Sequence, residues 1–162
     1  MCDFIFYYNN DIQSPAFEIF REAVEGKKEF KLIDYYDEFA IDVYLLLDDR
    51  DSRIISFDWD NTVGANVEFF SHLMEVYRER GFVPVICSLR GPEQDNIDEM
   101  HEKLERTNVT DIDIHLTDGI SKIKYMKQFG RSVNLWIDDF FPAICRHDNP
   151  LLKKNKIEYG KL

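Results

Sequence analysis

The chain has 162 residues, 44% hydrophobic, 31% charged and 14% aromatic: enough to close one core, and too apolar for disorder throughout. Its formal net charge of −11 repels phosphate backbones at long range, which disfavours extended nucleic-acid binding but leaves small anionic substrates open where a cation intervenes. The three cysteines Cys2, Cys87 and Cys145, an odd number without CxxC spacing, argue against a disulfide framework or a zinc site and point to a reducing cytoplasm.

The opening "MCDFIFYYNNDIQ" lacks the basic flank and long apolar region of a signal peptide, and nothing approaches the ~18 apolar residues of a membrane span. Residues 1–53 read as an N-terminal α/β extension, a βαβα-like unit packed on the main sheet. A strand is expected over 3–8, then a helix over 14–26 with Ser14 as N-cap, Pro15 at its first position and Gly26 at its end. A second strand is expected over 29–36. Phe39, Val43, Leu46 and Leu47 stand at helical spacing and predict a second helix over 37–47.

Residues 54–162 read as the main body, the whole forming one compact domain. "RIISFD" (53–58) and "GFVPVICS" (81–88) are short, apolar and β-branched-rich, as strands buried on both faces should be. Between them Phe70, Leu73, Met74 and Tyr77 mark one helix face, with Asn66 to cap its start and Gly81 its end. A helix over 93–106, a strand over 111–117, a short helix over 121–130 and a strand over 132–138 complete the series. This alternation predicts an α/β fold: a Rossmann-like parallel sheet with helices on both faces. Ligands of such sheets sit outside the carboxyl ends of the strands, where Asp58, Ser88, Asp138 and Thr117 fall.

"IISFDWDNTVG" places Asp58 and Asp60 two residues apart directly after a core strand. A bare pair of strand-end aspartates carries little weight. In this turn, however, the first carboxylate can attack phosphorus while the second protonates a leaving oxygen and then activates water. Two adjacent anions would repel a phosphate unless a hard cation sits with them, a task that suits Mg²⁺.

Asp58-Trp59-Asp60-Asn61-Thr62-Val63 resembles the first motif of the haloacid dehalogenase (HAD) superfamily, largely aspartyl-phosphate phosphatases. Its other three motifs have counterparts in order: Ser88 ending "VPVICS", Lys122 in "DGISKIKYM" with Lys124 as competitor, and Asp138-Asp139 ending "NLWIDD". The resemblance covers residues 54 to about 145. It implies that Asp58 is the nucleophile and a metal ligand, and that Asp60 is the general acid/base whose main-chain carbonyl also reaches the metal. Ser88 would bind a phosphoryl oxygen and Lys122 would neutralise the attacking carboxylate and the transferring group. Asp138 would ligate Mg²⁺, Asp139 would ligate through water or orient Lys122, and Thr62 would support the loop. Some nucleotide- and polynucleotide-processing relatives carry an arginine two residues after the second motif. That resemblance gives Arg90 a grip on substrate phosphate, against the plainer expectation of a loop arginine paired with Glu93 or Asp139.

Cys87 is too close to Arg90 for a Cys-x5-Arg phosphatase loop and fits a buried strand cysteine. His72, His101, His115 and His147 show no ligand spacing. The lysine-rich tail "LLKKNKIEYGKL" is expected to be a solvated terminus, the one place suited to nucleic acid. About 28 residues separate Asp60 from Ser88 and about 34 separate Ser88 from Lys122, filled by the helices and strands the sheet requires, so no cap domain is expected. A capless member implies a projecting phosphomonoester, such as a nucleotide or polynucleotide end, or closure by a neighbouring subunit. The competing expectation is a HAD-fold binding or regulatory protein that contacts a macromolecular partner with little or no hydrolysis.

Overall fold

The structure, a computed structural model, describes residues 4–8, 13–25 and 41–156. Its elements in chain order are β1 (Phe4–Tyr7), α1 (Pro15–Val24), β2 (Ile41–Leu47), β3 (Ile54–Phe57), α2 (Val67–Glu79), β4 (Val83–Ser88) and α3 (Gln94–Leu104). These are followed by β5 (Asp113–Leu116), α4 (Lys122–Gln128), β6 (Leu135–Asp138), α5 (Phe141–Ile144) and α6 (Pro150–Lys154). The six strands form one sheet in the order β1-β2-β6-β3-β4-β5. β6, β3, β4 and β5 run parallel, β1 is parallel to β2, and β2 is antiparallel to β6. The α/β class and a mostly parallel, Rossmann-like sheet are therefore present, with one reversed pairing.

Both faces of the sheet are covered. Phe57, Leu135, Ile137 and Ile86 join Phe17, Phe20, Phe70, Leu73, Tyr77 and Met100 in one buried cluster. Leu46, Cys87 and Trp136 join Met126, Ile144, Leu151 and Leu152 in the other. The helix over Val67–Glu79 starts as expected: the Asn66 side chain accepts the Phe69 N–H at 3.1 Å. Gly81 follows with φ 86°, a left-handed conformation that glycine adopts at no steric cost.

The helix expected over 37–47 is overturned where it can be seen, because Ile41–Leu47 is a strand. Val43, Leu45 and Leu47 enter one cluster and Tyr44 and Leu46 the other. A strand buried on both faces loses its period-two signature, and its continuous apolar run then satisfies helical spacing by accident. β1 and β2 extend the main sheet edgewise, with Tyr44 in register with Asp138 and Leu47 with Leu135. The strand expected over 29–36 lies outside the described residues, as does Cys2.

The expectation of a solvated tail also fails over its described part. Leu151 and Leu152 are buried, and Asn155 closes the end of β2. Its side chain accepts the Leu47 N–H at 2.9 Å and donates to the Leu47 carbonyl at 3.0 Å. Lys154 donates to the Asp48 carbonyl. Residues 157–162 lie outside the described residues. Cys87 and Cys145 are buried free thiols.

Candidate functional site

Because β3, β4, β5 and β6 are parallel, their carboxyl ends share one edge of the sheet. Asp58 follows β3, Ser88 ends β4, Thr117 follows β5, and Asp138 ends β6. Asp58 is fixed by its backbone, its N–H donating to the Ile137 carbonyl at 2.9 Å and its carbonyl accepting from Val63 at 3.2 Å. The turn beyond it needs a left-handed residue, supplied by Asn61 at φ 60°. Trp59, between the two aspartates, points into the core and is 1% exposed. Gly64 makes room for it: a Cβ there would stand 3.0 Å from the Trp59 carbonyl oxygen and 3.2 Å from its indole nitrogen.

At the centre lies Lys122, the first residue of α4, only 1% exposed. Its Nζ donates to Asp58 Oδ1 at 2.7 Å and to Asp138 Oδ2 at 2.5 Å. Lys124, the other candidate of the sequence, is exposed on the same helix. Asp138 is held by the Phe140 N–H, 3.0 Å from its other oxygen. Asn61 donates to Asp139 Oδ2 at 3.4 Å. The Thr62 hydroxyl lies 3.4 Å from Asp58 Oδ2. Asp58, Asp138 and Asp139 each present a carboxylate oxygen, all within 4.8 Å of one another.

Three carboxyls face one ammonium in a water-poor setting. Burial pushes the Asp58 carboxyl up to about 7 despite the neighbouring Lys122. Burial does the same to Asp138, also to about 7, and raises Asp139. Burial works against the charge on Lys122, but Asp138 and Asp58 outweigh it and hold the lysine protonated. Every group in the cluster therefore binds protons more tightly than it would in water. That is the electrostatic mark of a site short of positive charge, and carboxylate oxygens so arranged can hold a metal cation.

Ser88 is buried at the same edge, and its Oγ accepts the Arg90 N–H at 3.2 Å. Thr117 donates its N–H to the Ser88 carbonyl at 2.8 Å, while its buried hydroxyl has no partner among the described residues. Asp60 stands apart from the carboxylate cluster, with its side chain 54% exposed. Arg90 grips it from two sides, Nε to Oδ2 at 3.0 Å and Nη2 to Oδ1 at 2.7 Å. The same guanidinium donates through Nη1 to Glu99 Oε2 at 2.7 Å and to Asn96 Oδ1 at 3.4 Å. Comparisons with protein-family models, curated proteins and solved structures find no match.

The structure thus gathers Asp58, Lys122, Asp138, Asp139 and Thr62 into one contact network, with Ser88 on the neighbouring strand end. Asp60 and Arg90 form a second network beside it. Neither Glu93 nor Asp139, the loop partners expected for Arg90, is the residue it grips. Lys122 is bonded to Asp58 and Asp138, and among the described residues no hydrogen bond joins it to Asp139, which accepts from Asn61. Glu99 and Asn96 were not foreseen. Their only trace in the sequence is a three-residue spacing that puts them on one face of α3. No helix among the described residues is long and apolar enough to cross a membrane.

Proposed function

We propose that the protein is a Mg²⁺-dependent phosphomonoesterase of the HAD type, without a cap, working through a phosphorylated Asp58. The observation that carries this reading is the ammonium of Lys122, buried between Asp58 and Asp138 with Asp139 alongside. A purely structural lysine would rarely be buried against two carboxyls that also crowd a third, because such a cluster is costly to desolvate. As a device for binding a cation and then a phosphate, the cost has a purpose.

Asp58, Asp138 and Asp139 would hold the metal, with the main-chain carbonyl of Asp60 as a further oxygen donor. Hard carboxylate oxygens suit Mg²⁺. When bound, the ion supplies positive charge against the phosphoryl oxygens. A carboxylate oxygen of Asp58 attacks phosphorus, the P–O bond to the leaving group breaks, and Asp60 delivers a proton to the departing oxygen. Asp60 then takes a proton from water, which attacks phosphorus, breaks the P–O bond of the Asp58 acyl phosphate and releases inorganic phosphate. Lys122 offsets charge on Asp58 and on the transferring group throughout, while Ser88 offers its hydroxyl to a phosphoryl oxygen.

The segments between Asp60 and Lys122 are taken up by α2, β4, α3 and β5, which supports an open, capless site. Such a site fits a phosphate projecting from a larger group, such as a nucleotide or the end of a polynucleotide. The purified protein with Mg²⁺ is expected to release phosphate from an aryl phosphate, and Asp58→Asn to abolish the release. Activity that survives Asp58→Asn would remove the nucleophile assignment. A panel of nucleotides, 3′- and 5′-phosphorylated oligonucleotides and phosphopeptides that yields no phosphate would favour the binding protein instead.

A further inference from the structure

Arg90 is committed in a way that its proximity to Ser88 does not require. Its Nε–H and one Nη2–H form a two-point fork on the Asp60 carboxylate, and Nη1 spends its hydrogens on Glu99 and Asn96. The arginine backbone is pinned as well: its N–H goes to Ser88 Oγ and its carbonyl accepts from Asp118 at 3.1 Å. Asn96 is anchored in turn, donating to the Gly91 carbonyl at 3.0 Å and to Glu93 Oε2 at 3.2 Å. The result is a chain of contacts from α3, through the guanidinium, to the side chain assigned above as acid and base.

We propose that Glu99 and Asn96 are positioning residues that act through Arg90 to aim the Asp60 carboxylate, so that Arg90 serves the proton-transfer group rather than the substrate phosphate. The inference rests on the phosphatase reading for the role of Asp60. Charge supports it. One guanidinium already faces two carboxylates, so the group offers no surplus positive charge to a phosphate. To grip one, it would first have to release the Asp60 fork.

Exposure supports it too. The side chains of Asp60, Glu99 and Arg90 are 54%, 42% and 24% exposed, and pairs so open to solvent add little to stability. What a rigid fork does supply is orientation. A carboxylate on an exposed turn has several rotamers, and misplacement by about 1 Å at a reacting group costs on the order of 100-fold in rate.

The test uses two substrates of one enzyme, 2,4-dinitrophenyl phosphate, whose leaving group departs without a proton, and an alkyl phosphate, whose leaving group needs one. Glu99→Ala substitutes an exposed residue in a helix with a good helix former, so the fold is kept. The expected result is a loss of kcat/KM, which reports only the steps up to departure of the leaving group, at least about 10-fold greater on the alkyl phosphate than on the activated ester. Glu99→Gln, which still accepts a hydrogen bond from Arg90, should recover part of it. Equal losses of kcat/KM on both substrates, the result of a lost phosphate grip, would overturn the proposal. A crystal structure of Glu99→Ala decides the point independently of turnover. Displacement of the Asp60 carboxylate is expected, and an unmoved Arg90–Asp60 fork would overturn the proposal even if the wild-type protein hydrolysed nothing. An inactive wild type would count against the phosphatase reading alone.

Discussion

Replacing Lys122 by methionine removes one charge from a buried site while nearly keeping its volume. In the metal-free protein the change leaves Asp58 and Asp138, 6% and 2% exposed, facing each other and Asp139 without the ammonium that bridged them. Stripping one partner from a buried ionic cluster costs about 3–5 kcal/mol. In a chain of this size each kcal/mol is worth about 2–4 °C, so the melting temperature should drop by roughly 6–20 °C at pH 8. The carboxyls have an escape, since a proton can replace the lost ammonium. Burial already raises Asp58 and Asp138 to about 7, well above the ordinary value of 3.8. A carboxyl raised in the folded state contributes stability that is present at low pH and is lost as the pH climbs through its folded value. The penalty of Lys122→Met should therefore be largest at pH 8 and should shrink markedly at pH 5.5. Thermal melts of both proteins in chelator across this range measure it. A drop below about 3 °C at pH 8, or one of equal size at both pH values, would refute the account of the cluster as a site short of positive charge.

Two other predictions concern the carboxylate cluster and the end of β2. Because Asp58 and Asp138 hold protons up to about 7, binding of Mg²⁺ should release protons and its affinity should fall as the pH drops through 7. Calorimetric titrations in two buffers of different ionisation enthalpy would show this as a buffer-dependent heat, and a buffer-independent heat at pH 6.5 would contradict it. Asn155→Ala should destabilise the fold by about 2–4 kcal/mol, because it strands both the N–H and the carbonyl of Leu47 in a buried setting. Urea unfolding would measure the loss, and a change under about 0.5 kcal/mol would show that another group takes over both partners.

The parallel half of the sheet was legible because each of its strands pairs a short apolar run with a polar end, and its helices carry clean 3.6-residue faces. The edge residues Asp58, Ser88 and Asp138 were legible for the same reason, since chain direction alone places them together. β2 was not, because the pattern of a strand buried on both faces contains no alternation to read. Nor was the packing of α6, whose apolar content is two leucines set among lysines. The partner of Arg90 could not be found by counting along the chain: Asp60 lies thirty residues before it, and only the pairing of β3 with β4 brings the two loops side by side. Trp59 is bulky for its place between two aspartates, and it is buried. The close approach of Gly64 shows how the turn accommodates it.

The reversed strand has a consequence for the order of synthesis. β2 hydrogen-bonds to β1 on one side, but its other side pairs only with β6, with Tyr44 opposite Asp138. As the chain grows from its amino end, β2 must wait for residues 135–138 before that edge is filled. Its bare edge, nearly all apolar, meanwhile offers hydrogen bonds to any other extended segment. The pairing that ends this wait also places Asp138 between β2 and β3. Filling the open edge of β2 and completing the carboxylate cluster therefore both wait on the same four residues of β6.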